Sequence, residues 1–456
     1  MSFKGKRVLV VGLGKTGEAV CRFLLKRQAH VTVSEAKEAN RMQQKIREWK
    51  RQGVEVEAGE HRRSSFLQAD LIVPSPGVPR IPRLAEALDS GIEVVSEIEL
   101  AFRHIKGSIL GISGSNGKST TATLIHKILV EGGKKAFLAG NIGSPLIGFV
   151  DSSENDHIYV TELSSFQLEY THRFKADISV LLNITPDHLD WHKTFSAYLD
   201  AKKRLFTNQT RKDTAVLNAE DPLVWRLRDA IKARIYGFSK KAAVARGCYI
   251  EKDRIIWTDG GKEFVMNTED NPLFGSHNQE NVLASICASR LLGIPSPSIK
   301  TSVENFKGLE HRLEKVGTFN GVAFYNDSKA TNVGAALKSI QSFEQKIILI
   351  LGGRDKGGRF EELRRIIGLQ VKKIILLGEA KEKISRALQN GVPIICVSSL
   401  KEAVESGFAA ASPGDVVLLA PACTSHDMFA NFEERGKIFK REVFSLRKRV
   451  GKKDVI

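Results

Sequence analysis

Residues 111–120, GISGSNGKST, combine small residues, a lysine and four hydroxyls in an order that suits phosphate chemistry. Gly114 and Gly117 bracket Ser115 and Asn116. Backbone N–H groups there can converge on phosphate oxygens, and a helix beginning near Lys118 would add its positive end. Lys118 can reach the outer phosphates, while Ser119 or Thr120 can hold Mg²⁺. The common pattern is glycine, four residues, then Gly-Lys-Ser/Thr, but here Ile112 stands where the first glycine belongs. The stretch is therefore read as a phosphate loop of a distinct subtype. A second signature precedes it: Gly12-x-Gly14-x-x-Gly17 follows a β-branched run and opens a helical pattern, and Glu35 ends the next apolar run. That spacing suits a diphosphate and a ribose, so NAD, FAD and a UDP-sugar all fit and the motif does not choose among them.

These loops need strands before them and helices after them, and the chain supplies both. RVLVVGLG (7–14) reads as a buried parallel strand, KTGEAVCRFLLKRQ as a helix and HVTVSE (30–35) as the next strand. ADLIVPSPG (69–77) is a strand stopped by two prolines. SILGIS (108–113) feeds the phosphate loop, and HIYVTELSS (157–165) and ISVLLNIT (178–185) add core strands. SHNQENVLASICASRLLG (276–293) reads as a helix. From about residue 310 the rhythm restarts with VAFYNDS, KIILILGG, KIILLG, IICV and DVVLLAPA. Strands alternating with helices predict mainly parallel sheets, in three α/β units in series.

Composition narrows the function. A length of 456 residues suggests roughly three domains. With 42% hydrophobic and 27% charged residues the chain reads as globular rather than disordered. Its net charge of +17 is spread along the chain, which favours anionic small-molecule substrates over a nucleic-acid partner. The densest basic run, RKRVGKKDVI (447–456), lacks an aromatic residue and reads as a solvated tail. Five scattered cysteines without a C-x-x-C pair argue for a reducing compartment and against a disulfide framework or structural zinc. The opening MSFKGKRVLVVGLG reads as a strand, not a signal peptide. No apolar stretch approaches the ~18 residues of a membrane helix. A cytoplasmic protein without a membrane span is expected.

GISGSNGKST resembles the ATP loop of the Mur ligase superfamily, with Ser115 in place of the usual threonine. Further landmarks of that family follow in order: TELSSFQLE (161–169), NITPDHLDWH (183–192), AKKRLF (201–206), HNQEN (277–281), LEHR (309–312), NDSKATN (326–332) and PACTSHDMFANFEERG (421–436). The match runs through nearly the whole chain and is most similar to the D-glutamate-adding branch. The Asp-Asn-Pro-Arg stretch of the diaminopimelate- or lysine-adding branch is absent. The resemblance implies a Rossmann-like UDP-sugar domain (1–105), a central P-loop-type ATPase domain (106–309) and a Rossmann-like amino-acid domain (310–456). The implied activity adds D-glutamate to UDP-N-acetylmuramoyl-L-alanine through an acyl phosphate, with ATP and Mg²⁺, in peptidoglycan precursor synthesis. The implied partners are those three substrates and no nucleic acid, with the enzyme working as a monomer.

The same resemblance suggests roles for single residues. Glu162, His188 and Ser119 would be magnesium ligands, joined by Lys202 once carbamylated by CO₂. Gly114, Ser115, Asn116, Gly117, Lys118, Ser119 and Thr120 would hold the ATP phosphates, with Asn278 and Asn281 near the adenine. His311 and Arg312 would meet the phosphates, Asp327 the ribose, and Lys329 the γ-phosphate or acyl phosphate. The sugar nucleotide would touch Gly14, Lys15, Thr16, Glu35, Ser75, Gly77, Asn141 and His188. The amino acid would meet Thr331, Lys356, Ser425 and Phe432. Two departures bear on amino-acid selectivity: Arg354 beside Lys356 in LGGRDKGG, and His426 where an apolar residue is expected.

A Rossmann oxidoreductase would explain the first glycine signature but not the second. A nucleic-acid ATPase lacks an aromatic–basic stripe. A non-catalytic UDP-sugar regulator would not need Lys118, Glu162, His188 and Lys329 together. A Mur-type ligase adding another amino acid, or acting on a folate-like acceptor, is the nearer competitor. The carbamylation reading predicts that Lys202→Ala loses most activity and partly regains it with added short carboxylic acids, measured as phosphate release. Turnover at the wild-type rate would refute it.

Overall fold

The computed structural model describes residues 2–78, 81–273, 275–389 and 391–450; the last six residues of the basic C-terminal run lie outside them. Contacts divide the chain into two units. The first holds Met1–Ile184, Trp191–Asp270 and Glu280–Glu304, and the second holds Thr185–Asp190, Asn271–Gln279 and the chain from Asn305 onward.

In the first unit, Arg7–Val11, His30–Glu35, Glu55–Ala58 and Leu71–Pro74 form a parallel sheet in the spatial order third, second, first, fourth. Val8 to Val11 are all buried, as expected of a strand covered on both faces. Helix Lys15–Leu25 packs Val20, Phe23 and Leu24 inward. Glu55–Ala58, the strand EVEA, was not legible in the sequence because an edge strand with two glutamates has no apolar run to reveal it.

The second sheet of this unit has nine strands. Ser108–Ser113 lies between Ile158–Glu162 and Ile178–Leu181, with Ala136–Gly140 at one edge. Thr214–Asn218, Arg234–Ser239 and Gly247–Glu251 continue the parallel array on the other side. Arg254–Thr258 and Lys262–Asn267 then turn antiparallel. Lys252 and Asp253 make the first of these turns, both with positive φ (49° and 60°), the backbone a two-residue hairpin demands. The expectation of mainly parallel strands holds, with an antiparallel edge that the sequence reading did not include.

The second unit carries a six-stranded sheet. Val416–Leu419 lies between Val322–Asn326 and Ile347–Gly352, followed outward by Val371–Leu377 and Ile394–Cys396, all parallel. Glu314–Phe319 pairs antiparallel with Val322–Asn326 through an Asn320–Gly321 turn. Helix Phe432–Val450 packs Phe439, Val443 and Leu446 beneath this sheet. All five cysteines are free thiols, and no helix among the described residues is long and apolar enough to cross a membrane.

Inside the first unit, helix Glu97–Phe102 leaves the first sheet and docks on loops of the second through two buried carboxylates. Glu99 accepts N–H groups from His172 (2.9 Å), Arg173 (3.0 Å) and Phe174 (2.8 Å), and the Arg103 Nε at 2.8 Å. Burial opposes its charge, but these donors hold it below the usual carboxylate range. Glu97 accepts the Ile147 N–H at 2.6 Å, and burial pushes its pKa up to about 7. Between the unfolded value near 4.5 and about 7 the folded state holds a proton that the unfolded chain releases. The stability contribution therefore falls as pH rises through that window. Glu97→Gln should melt several degrees above wild type at pH 8, with the gain shrinking towards pH 4.5. Calorimetry at the two pH values checks this, and a pH-independent difference would refute it.

Candidate active site

The phosphate loop follows Ser108–Ser113 and ends at the start of helix Lys118–Glu131. Gly117 caps that helix with φ +88°, and a Cβ there would fall 2.2 Å from the Asn281 Oδ1, so this position requires glycine. Asn183 pins the loop by three bonds: its Oδ1 accepts the Asn116 N–H (2.9 Å), its Nδ2 donates to the Asn116 C=O (3.1 Å), and its C=O accepts the Ser115 N–H (2.9 Å). Ser115 Oγ lies 2.8 Å from the Tyr198 hydroxyl.

Two lysines meet at this loop. Lys118 Nζ donates to the carbonyls of Gly114 (2.8 Å) and Ser115 (3.0 Å). Lys202 Nζ, on helix Phe195–Lys203, donates to the same Gly114 carbonyl at 2.8 Å and to Ser113 Oγ at 3.4 Å. Lys202 is only 1% exposed, with its ammonium 4.8 Å from the Tyr198 ring centre. Glu162 stands opposite Ile112 on the neighbouring strand, is buried, and accepts the Asn141 Nδ2 at 2.8 Å. Ser119 and Thr120 open the helix beside them. Two cations, a carboxylate and hydroxyls around a glycine cradle fit a nucleoside triphosphate, and these oxygen donors fit Mg²⁺. Asn281 sets its amide against Gly117 and Thr121, at the phosphate loop.

The first glycine signature lies in the same unit. Gly14 caps helix Lys15–Leu25, and Lys15 Nζ donates to the Gly143 carbonyl, joining the GLGKTG loop to GNIG and hence to Asn141. Glu35 accepts N–H groups from Leu13 (2.8 Å) and Lys37 (3.1 Å), and Ser75 Oγ donates to the Gly12 carbonyl at 3.1 Å. Gly14 and Glu35 line a cavity of about 790 Å³ with Lys37, Arg41, Lys45 and Trp49. Lys45, absent from the sequence reading, donates to the Leu13 carbonyl at 2.6 Å. Thr16 is half-buried in the first turn of the helix, and Gly77 has open space beside it.

The second unit carries the remaining candidates. His188 has φ +52°, and Asp187 of its segment accepts the Asn332 Nδ2 at 3.0 Å. Lys329 Nζ lies 3.8 Å from the centre of the Phe432 ring, bringing two expected site residues together. Thr331 donates its N–H to the Lys329 carbonyl at 2.8 Å. His311 is buried, its Nδ1 2.9 Å from Asn326 Nδ2, and its carbonyl accepts the Lys329 N–H at 3.1 Å; it shapes this loop. Asp327 accepts the Ser339 hydroxyl, and burial raises its pKa to about 6 against the charge of Arg312. Lys356 lines a cavity with Thr424 and His426, beside the buried Ser425, while Asn278 is buried near the start of helix Ser276–Leu291.

One residue without an assigned role holds these loops. Arg435 is buried, donating to Ser328 Oγ (2.9 Å) and C=O (2.8 Å) and to the carbonyls of Cys423 and Thr424 (both 3.2 Å). Burial lowers its pKa to about 10. It ties NDSKATN to PACTSH, and a guanidinium fork suits such a set of acceptors. Its place in FEERG was visible, but its burial was not.

Three α/β sheets in two units, with a phosphate loop on the central one, define a nucleotide-using enzyme of the three-domain ligase type. The chain belongs to the Mur ligase family. Family models match at residues 6–96 (Mur ligase MurD-like, N-terminal domain), 112–289 (Mur ligase middle domain) and 311–423 (Mur ligase, glutamate ligase domain). The UDP-N-acetylmuramoylalanine–D-glutamate ligase of Acidobacterium capsulatum is 46% identical over 98% of both chains. That of Koribacter versatilis is 44% identical over 97% of this chain and 98% of its own. In fold the chain is similar to a pseudomurein peptide ligase of Methanothermus fervidus (TM-score 0.61, 19% identity, 97% of this chain and 99% of that one). It is likewise similar to the UDP-N-acetylmuramate–alanine ligase of Thermotoga maritima (TM-score 0.60, 19% identity, 96% and 99%).

Replacing Arg435 leaves its carbonyl partners unsatisfied, so Arg435→Leu should lower stability by about 3 kcal/mol or more. Urea denaturation checks this, and a loss below about 1 kcal/mol would refute the anchoring role.

Proposed function

We propose that this chain is an ATP-dependent ligase that joins D-glutamate to UDP-N-acetylmuramoyl-L-alanine, releasing ADP and phosphate, in peptidoglycan precursor synthesis. The observation that carries the reading is the glycine cradle on which Lys118 and Lys202 converge beside Glu162, in a chain 46% identical to a relative of that name. Residues 1–105 take the sugar nucleotide, 106–309 ATP and 310–456 the amino acid. The enzyme works as a cytoplasmic monomer; its free thiols suit a reducing compartment.

Amide formation from a carboxylate and an amine is uphill in water, so the carboxylate must be activated. The alanyl carboxylate attacks the γ-phosphorus of ATP, ADP leaves, and the acyl phosphate forms. The glutamate amine then attacks the acyl carbon, and phosphate departs as the tetrahedral species collapses. The protein's work is to position the reactants and neutralise gathered charge. Lys118 serves the phosphates, and Lys329 the γ-phosphate or acyl phosphate. Ser119, Glu162 and His188 would hold Mg²⁺, which screens the phosphate charge. Addition of CO₂ to the neutral Lys202 amine, with loss of a proton, gives a carbamate. That change would remove one of two neighbouring ammoniums and supply an oxygen ligand. Gly14, Lys15, Thr16, Glu35, Ser75, Gly77 and Asn141 receive the sugar nucleotide, and Thr331, Lys356, Ser425 and Phe432 the amino acid.

Phosphate release with ATP, Mg²⁺ and UDP-N-acetylmuramoyl-L-alanine, run against amino acids of both configurations, tests the reading. Release requiring the sugar nucleotide and D-glutamate, with a new amide by mass, is expected. Release with another amino acid would overturn the specificity, and no release with any would overturn the ligase reading.

A further inference from the structure

We propose that His426 is a specificity-determining residue that receives the side-chain carboxylate of the incoming amino acid; this rests on the ligase reading above and deepens it. The second unit contains a cavity of about 760 Å³ lined by Arg354, Asp355, Lys356, Gly357, Thr424 and His426. Most charges on its wall are already engaged. Arg354 makes a two-pronged pair with Glu379 (2.9 and 2.8 Å). Asp355 is paired with Lys383 and accepts the Gly358 N–H at 2.8 Å. Among the described residues, Lys356 and His426 have no ion-pair partner. They are the wall's two uncommitted groups able to meet an anion.

The backbone that displays His426 is fixed on both sides. Thr424 exchanges N–H···O bonds with Arg354, 3.0 Å each way, and adds its hydroxyl to the Arg354 carbonyl at 3.0 Å. Asp427 turns away from the cavity, accepting the Glu379 N–H at 2.9 Å. The Ser425 carbonyl accepts the Phe429 N–H at 2.8 Å, closing the turn. Ser425 itself is 2% exposed, whereas His426 is exposed. The latches on each side thus present the imidazole to the cavity.

An acidic amino acid brings two carboxylates, and its amine must stay free to attack. Lys356 offers one permanent cation. An imidazole offers at least one N–H in either protonation state and a second when protonated, so His426 can hold the second carboxylate. An apolar side chain at this place would offer that carboxylate no donor of its own. The imidazole therefore separates glutamate from amino acids with neutral side chains, through ground-state affinity rather than chemistry.

The test is a kinetic cycle with the full chain, using wild type, His426→Leu and His426→Lys. The substrates are D-glutamate and its γ-methyl ester, with ATP and sugar nucleotide saturating and then varied. His426→Leu should raise KM for D-glutamate about tenfold, the loss of one charged hydrogen bond. It should leave kcat and the other two KM values within a factor of about two. His426→Lys should restore most of the affinity. The ester should bind wild type about tenfold more weakly than D-glutamate, yet His426→Leu should treat the two alike. A His426→Leu enzyme with wild-type KM for D-glutamate would overturn the proposal. So would one that still distinguishes acid from ester, or one in which all three KM values rise together and kcat falls. Failure of the ligase reading looks different: wild type itself would release no phosphate with D-glutamate.

Discussion

The carbonyl oxygen of Gly114 accepts from two ammonium groups, those of Lys118 and Lys202, each at 2.8 Å. Two like charges that share one acceptor repel each other. Such crowding needs a rigid frame, and the surrounding structure supplies it. Asn183 clamps the loop at Ser115 and Asn116, Tyr198 holds the Ser115 hydroxyl, and Asn281 fills the space that a Gly117 side chain would need. The parallel register of Ser108–Ser113 with Ile158–Glu162 then sets Glu162 opposite Ile112, at the root of the same loop. An excess of fixed positive charge around backbone donors is the arrangement that polyphosphate binding calls for.

The second unit solves a similar problem with a different device. Its loops carry Lys329, Thr331 and Ser425, which no single strand end could hold together. A buried guanidinium, Arg435, reaches from the C-terminal helix to the carbonyls of both loops. Lys329 is steadied from two directions, by the His311 carbonyl at its N–H and the Phe432 ring at its ammonium. The cationic surface of this unit is similarly ordered: Arg354 and Lys383 are tied to Glu379 and Asp355, which leaves Lys356 and His426 facing the cavity.

Legibility in the sequence followed the range of the interactions. Strands such as RVLVV and IILILG announce themselves because burial on both faces demands an unbroken apolar run. Edge strands do not: EVEA and Lys262–Asn267 are half-solvated, and the Lys252–Asp253 turn that leads into the buried Arg254–Thr258 lacks the usual Asn-Gly signal. Among the site residues, those on glycine loops were legible from residue type alone. Lys202 was legible only through family resemblance, and Lys45 and Arg435 were missed because a basic residue on a helix looks the same whether it faces water or a buried carbonyl.

The sequence by itself determined which segments could fold into strands and helices, where the two phosphate-type loops fall, and to which family the pattern of motifs belongs. Those properties depend on residues a few positions apart. The tertiary structure decided that Lys118 and Lys202, far apart in the chain, share one carbonyl, that Asn281 packs against Gly117, and that Arg435 joins two loops. It also decided that His426 is displayed while Ser425 is buried. These facts follow from strand order and packing, which bring together groups whose separation along the chain carries no trace of the contact.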